Sequence, residues 1–345
     1  MRRKKLLAAG IVFCMAAQLF CACGRERADE KEKIYVGVAY YDQSDTFVNQ
    51  LIDCLKEQLE AYGEESCETA MLLRAAGGFQ RIQNDQVEEL IDSGCNVLCV
   101  NLVDRADPSE IIDMARDNDI PIIFFNREPV REDLMQWDKL YYVGAPADQS
   151  GIMQGELAAK LIQSNPEIDR NQDGKIQYVV LEGEPGHQDT IIRTENAVDT
   201  LKRSGIEIEK LSYEIANWNR AQAQNQMQQM ISQYQNRIEL VLANNDDMAL
   251  GALDAYEKLN YMESVLPVFF GIDGTDVGLE AVRDSRLAGT VYNNKEGQAE
   301  AILKLAAALV SGQGVDTMEL EDDRYVYVPY SKVTKSTLDQ YLEEE

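Results

Sequence analysis

From Ile34 onward the chain alternates short β-branched runs with stretches whose apolar residues recur at helical spacing, and this constrains the fold most. "IYVGVAY" reads as a strand, after which Phe47, Leu51, Leu55 and Leu59 mark one face of a helix. "TAMLLRA" and "NVLCVN" follow as strands, each trailed by a helical stretch, "NDQVEELIDSG" and "PSEIIDMARDND". The pattern returns with the strands "IPIIFFN", "IQYVVLEG", "EKLSYEI", "IELVLANND" and "LPVFFGID" and with helices such as "TIIRTENAVDTLKR" between them. Strand alternating with helix predicts α/β architecture, a parallel sheet flanked by helices. A length of 345 residues suits about two such domains. The expectation is two lobes, 34–120 plus 294–327 and 121–293 plus 328–345, joined near Asp119–Pro121, Asn293–Lys295 and Tyr327–Tyr330.

Polar residues close most of the strands: Asn101, Asn126, Asn245, Asp273 and Asn293. Any one of them alone reads as a turn former or helix cap. Five at the carboxyl ends of parallel strands predict a ligand cleft between the lobes, because that edge is where open parallel sheets bind.

The first residues have a different character. "MRRKK" is a cationic start, "LLAAGIVFCMAAQLF" is an apolar run shorter than a membrane span prefers, and "CACG" follows. Ala22 before Cys23 resembles the lipobox of bacterial lipoproteins, in which that thiol is diacylated and becomes the new N-terminus. Residues 1–22 are then the signal peptide, 23–33 a polar tether, and the protein is held at the outer face of the cell membrane through its lipid alone. The formal net charge is −27, and losing residues 1–22 removes basic residues but no acidic one. So acidic a surface repels nucleic acid. Cys54, Cys67, Cys95 and Cys99 lack metal-ligand spacing, and Cys95 and Cys99, alternating within "CNVLCV", read as buried free thiols rather than a disulfide framework.

"DRNQDGKIQ" carries oxygen-bearing side chains at alternate positions, with Gly174 at the sixth. This matches the first nine positions of an EF-hand loop: Asp169, Asn171 and Asp173, the Lys175 carbonyl, then Gln177. Val180 stands where the twelfth-position carboxylate belongs, and a strand follows instead of a helix. A structural Ca2+ is expected, with its missing carboxylate supplied from elsewhere in the chain.

"DRNQDGKIQYVVLEGEPGHQDTIIR", "VNLVD", "FFNREP", "YYVGA", "ANND", "FGID" and "AGTVYNN" together resemble the galactose/glucose-binding family of type I periplasmic sugar-binding proteins. The likeness runs from about Tyr35 to Tyr330. It implies a two-lobed type I periplasmic-binding-protein fold that captures D-galactose or D-glucose for an ATP-binding-cassette permease, with no catalysis and with a monomer as the working form. It also implies Glu239 as the sixth metal ligand. Asp45, Asn101, His187, Asp189, Arg193, Asn245, Asp273 and Asn293 become the polar sugar contacts, and Phe47 and Trp218 the rings that stack on the pyranose. Three departures stand out. Gln188 replaces the proline usual after the histidine, around "DQS" the family's acidic pair before the aromatic is reduced to Asp45 alone, and the acyl-anchor signal replaces an ordinary secretory one.

His187 is the only histidine, and no G-x-S-x-G or comparable activating turn accompanies it, so a nucleophilic triad is disfavoured. A sensory module for a chemoreceptor or histidine kinase would use the same cleft. A calcium-dependent glycoside hydrolase would need Asp45 and Asp273 as an acid/base pair, and the sequence offers no local feature that raises either pKa.

Overall fold

The computed structural model describes residues 33–342 apart from 313, 316 and 317. The expected signal peptide, residues 1–22, and all of the expected tether except Lys33 lie outside that range, as does Cys23, the expected lipidation residue. Lys33 itself opens the first strand, β1 (Lys33–Tyr40).

The elements follow the alternation of the sequence. Strands β2 (Glu68–Ala75), β3 (Val97–Asn101), β4 (Ile122–Phe125) and β5 (Leu140–Gly144) alternate with helices α1 (Thr46–Glu65), α2 (Gln80–Asp92), α3 (Ser109–Asp117) and the short α4 (Arg131–Leu134). Then come α5 (Ala147–Ser164), β6 (Ile176–Glu182), α6 (Gln188–Arg203), β7 (Ile208–Ile215) and α7 (Arg220–Tyr234). The series closes with β8 (Leu240–Ala243), α8 (Asp246–Lys258), β9 (Val268–Phe270), α9 (Asp276–Arg283), β10 (Thr290–Tyr292), α10 (Lys295–Ser311), β11 (Tyr325–Tyr327) and β12 (Ser331–Val333).

The first sheet runs β11-β5-β4-β3-β1-β2 and the second β7-β6-β8-β9, with every pairing in them parallel. Bridges Phe270–Gly289 and Asp273–Tyr292 bring β10 alongside β9, and β12 pairs antiparallel with β10. Both lobes thus share one doubly wound order, which reverses between β1 and β3 in the first and between β6 and β8 in the second. Helices cover both faces of each sheet. Val36, Val38, Leu51, Leu55, Ile302 and Leu305 form one core of the first lobe, and Val179, Val241, Met227, Ala249 and Phe269 one core of the second.

The first crossing between lobes is not where the sequence placed it. Ile122–Phe125 and Leu140–Gly144 pair into the first sheet, so residues 121–144 belong to the first lobe and the chain leaves it only after Gly144. Asp119, with φ +59, lies just past the C-cap of α3 and starts an ordinary helix-to-strand turn. The turn signals do mark a break in the chain, but the break is local. α10 packs on α1 in the first lobe, and β12 returns to the second.

Cys95 and Cys99 are buried free thiols, with burial pushing the Cys95 thiol up to about 11. Among the described residues no helix is long and apolar enough to cross a membrane.

Candidate functional site

Ligands bind open parallel sheets beyond the carboxyl ends of the strands, at the point where strand order reverses. Here two such points face each other. β1 leads to Asp45, β6 to His187 and β8 to Asn245, and β3 ends in Asn101. The cleft between them holds about 320 Å³ of space, part of it open to solvent, and is lined by Asp45, Phe47, Asn126, Arg127, His187, Asp189, Arg193, Trp218, Asn245 and Asp273.

Asp45 is the N-cap of α1, where Oδ1 accepts from Val48 N at 2.9 Å while Oδ2 accepts from the Tyr41 hydroxyl at 2.6 Å. Phe47, one residue into that helix, spans core and cleft. His187 caps α6 in the second lobe: its Nδ1 accepts from Asp189 N at 3.2 Å, which leaves Nε2 to carry the proton of the neutral ring. Burial, with Arg127, Arg193 and Arg105 nearby, holds this imidazole well below its ordinary pKa. It is therefore a neutral Nε2–H donor at neutral pH.

Arg193 follows two turns of α6 later, buried at 4% exposure. Nη1 donates to Asn244 O at 2.7 Å and Nη2 to the Tyr330 hydroxyl at 2.9 Å, while Asp189 and Asp273 lie at 3.4 and 3.6 Å. Nε has no partner within the chain, a buried donor such as a bound oxygen would satisfy. Burial raises the carboxyl of Asp189, and raises that of Asp273 well above the usual carboxylate range, while Arg193 opposes the rise in both. No local feature of the sequence raises Asp273; burial does so, with the Asp246 and Asp45 carboxyl groups adding to it, all of them consequences of tertiary structure.

The Trp218 indole lies against Gly183, where a Cβ would stand 2.1 Å from the ring, and meets His187 edge-on at 5.2 Å between centroids. Asn126, Asn217, Trp218 and Asp273 all have positive φ, at 60, 50, 61 and 108°. Unfavourable backbone of this kind persists where surrounding structure over-determines it, and here it gathers around one cleft.

Eight of the ten expected sugar contacts line this cleft; Asn101 and Asn293 stand behind it. Asn101 Nδ2 donates to Phe125 O at 3.2 Å and to Asn126 Oδ1 at 3.0 Å, and its Oδ1 accepts from Tyr41 N at 3.3 Å. Its amide is committed to holding Asn126, which lines the cavity in its place. Asn293 accepts from Gln298 Nε2 at 2.6 Å and hydrogen-bonds the Asp273 carboxylate from behind. From sequence Asn126 reads only as a strand-end amide, and Arg127 carries no expectation at all. The signal for both was their position directly after "IIFF" in "FFNREP".

At the opposite edge of the second sheet, the 169–177 loop folds on itself. Asp173 N and Gly174 N donate to Asp169, Lys175 N donates to Asp173, and Gly174 takes φ +81. Glu239 joins from just before β8, accepting from Arg170 N at 2.7 Å and Gln177 N at 3.0 Å. The Asn171 and Gln177 amides also meet Asp173 within this cluster. The Arg170 guanidinium donates to backbone carbonyls, including that of Leu266 at 3.1 Å. No set of three acidic, His or Cys side chains forms a metal cluster by itself among the described residues. A cation here must rely on amide and peptide oxygens interleaved with the carboxylates, which is the donor mixture of a calcium loop.

Residues 36–314 match the family model described as a periplasmic binding protein domain. The chain is 36% identical over 311 residues to the D-galactose/methyl-galactoside binding periplasmic protein MglB of Haemophilus influenzae, covering 89% of this chain and 91% of that protein. It is 32% identical over 263 residues to a putative rhizopine-binding protein of Rhizobium meliloti, covering 75% and 78%. Among solved structures, an ABC transporter solute-binding protein of Bacillus halodurans with bound myo-inositol superposes with a TM-score of 0.74 at 28% identity, covering 91% of this chain and 98% of that one. The two-lobed fold, the facing strand ends and these likenesses agree that the chain belongs to the periplasmic binding protein family, whose relatives here are solute-binding transport proteins and not enzymes.

Proposed function

We propose that the protein is an extracytoplasmic receptor that captures a hexopyranose of the galactose/glucose type and presents it to an ATP-binding-cassette permease. The observation that carries this reading is the convergence of Asp45, His187, Asp189, Arg193, Asn245 and Asp273 with the rings of Phe47 and Trp218 in one cleft. A pyranose presents hydroxyls that both donate and accept, on a ring whose C–H faces are apolar. The neutral His187 and the Arg193 fork supply donors, the carboxyl oxygens of Asp45, Asp189 and Asp273 supply acceptors, and the rings cover the C–H faces. Ligand held by both lobes shifts the population toward the closed form, the shape a permease reads.

The galactoside-binding relative favours galactose, and the myo-inositol bound by the Bacillus halodurans relative makes a cyclic polyol the informative competitor. Calorimetric titration with D-galactose, D-glucose, methyl-galactoside, D-ribose and myo-inositol tests the reading. Saturable heat with the hexoses, abolished in Asp273→Ala, supports it; no heat with any hexose overturns it.

Two further parts belong to the same proposal. Asp169, Asn171, Asp173, Gln177, Glu239 and the Lys175 carbonyl would hold a Ca2+ that braces the second lobe. Cys23 would carry the acyl anchor, so Cys23→Ala should move the protein from the membrane fraction to the medium.

A further inference from the structure

Arg127 is the cleft-wall residue with the most unusual surroundings. It comes from the first lobe, just past β4, and is 4% exposed. Its guanidinium lies over the Tyr41 ring with 3.5 Å between the guanidinium carbon and the ring centroid. Nη1 donates to Val103 O at 3.0 Å, which fixes the fork, and Nη2 crosses the cleft to donate to Glu184 Oε2 of the second lobe at 2.6 Å. Tyr41, pinned beneath, donates its hydroxyl to Asp45 Oδ2 at 2.6 Å. A second arginine runs parallel. Arg105 donates to Glu128 O at 2.7 Å within its own lobe and to Gln188 Oε1 across the cleft, also at 2.7 Å. The residues they grip lie on either side of His187, Glu184 in the turn after β6 and Gln188 at the start of α6.

We propose that Arg127 is a positioning residue of the binding site that ties lobe closure to the readiness of Asp45. Separating the lobes must break the Arg127–Glu184 and Arg105–Gln188 contacts, since each joins a residue of the first lobe to one of the second. Closing restores both and adds the Glu184 carboxylate to the Arg127 fork that the Val103 carbonyl already holds over Tyr41, completing a chain of contacts that runs through the Tyr41 hydroxyl to the Asp45 carboxylate. Charge-assisted bonds of this kind are stronger than neutral ones, and stacking suits the planar guanidinium better than an ammonium. Apparent affinity scales with the fraction of molecules in the competent state, so a clasp that adds to closure adds to affinity without touching the ligand. It also gives Gln188 a role: proline in its place would have no side chain to accept from Arg105.

This inference rests on the cleft being the hexose site, so the test separates the two. Small-angle scattering of the purified protein without sugar reads closure directly, and calorimetry with D-galactose reads affinity. Glu184→Gln and Glu184→Ala should expand the sugar-free protein in that order and weaken galactose by about five- to tenfold. Glu184 is roughly half exposed, so neither variant threatens folding. Tyr41→Phe should weaken galactose several-fold with scattering unchanged, and Arg127→Lys should fall between wild type and Glu184→Ala. Unchanged scattering together with galactose affinity within about twofold of wild type in both Glu184 variants overturns the proposal. If the wild-type protein takes up no galactose, the sugar reading fails, and the scattering of the sugar-free variants still decides the clasp.

Discussion

Single side chains under the cleft show how far burial alone can alter chemistry. Asp246 is fully buried beside Asn245, with Oδ1 accepting from Thr290 Oγ1 at 2.6 Å and Oδ2 from Thr275 N at 2.8 Å. Burial pushes its carboxyl up to about 7 despite these bonds. A folded-state value above the unfolded one means that the native protein holds a proton the unfolded chain has released. This contribution to stability is present in full below about pH 4 and is lost as pH rises toward 7. One pKa unit corresponds to about 1.4 kcal/mol, so the loss approaches roughly 4 kcal/mol as an upper bound. Asp246→Asn should remove that slope: between pH 4 and pH 7 the wild-type unfolding free energy should fall relative to the variant's. Parallel pH profiles for the two proteins would mean that Asp246 is ionised in the fold throughout.

Trp218 is the other instructive side chain. Its place depends on Gly183, which leaves room for the indole where any Cβ would collide. Gly183→Ala should displace the ring and cost galactose affinity about tenfold or more, comparable to losing an aromatic contact. Intrinsic tryptophan emission should shift with it, and an unchanged spectrum and affinity would show that the ring does not cover the ligand.

Among the elements, the 169–177 loop differs from its surroundings in serving the sheet's far edge. It stands before β6, and Glu239 stands just before β8, so their link joins two neighbouring strands where they enter the second sheet. The cleft lies at the other ends of the same strands. A cation held here should therefore brace the lobe more than it alters sugar contacts. Chelator should lower the thermal midpoint by several degrees, restored by excess Ca2+, with galactose affinity changed less than about threefold. A midpoint indifferent to chelator in metal-loaded protein would show that the loop closes by its Asx turns alone. The same two ends explain why the loop's oxygens and the cleft's oxygens do different work.

Across the whole molecule, two copies of one winding order face each other through their strand ends. Three cross-cleft contacts close the rim: Arg127–Glu184, Arg105–Gln188, and Thr46 Oγ1 to Asp247 Oδ2 at 2.6 Å. Ligand that binds only the folded, closed form adds stability by mass action, about 2.7 kcal/mol at a hundred times its dissociation constant. Saturating galactose should therefore raise the thermal midpoint by roughly 5 °C or more, and ribose by less. Equal shifts with both sugars would mean that the cleft does not count hydroxyl positions.

Much of this was legible in the residues. The period of the apolar pattern named the strands and helices, because a side chain's face is set by backbone geometry alone. Strand-end residues such as Asn245 and Asp273 could be placed at the cleft because parallel topology sends them to one edge, whereas Asp45 and His187 came through the resemblance. The likeness to sugar-binding proteins supplied their chemistry. Other matters depend on neighbours distant in the chain. Asn101 and Asn126 are both strand-end asparagines, yet one is consumed by Tyr41 and Phe125 while the other faces the cavity. The turn at Asp119–Pro121 follows a helix and the crossing after Gly144 follows a strand, and only the pairing of β4 and β5 into the first sheet shows which of them leaves the lobe. Arg127 became a site residue through an ion pair with a residue 57 positions away. Local periodicity and topology belong to the sequence, whereas a buried polar atom's allegiance and the pKa of Asp273 are decided by which partners folding brings within reach and how much water it removes.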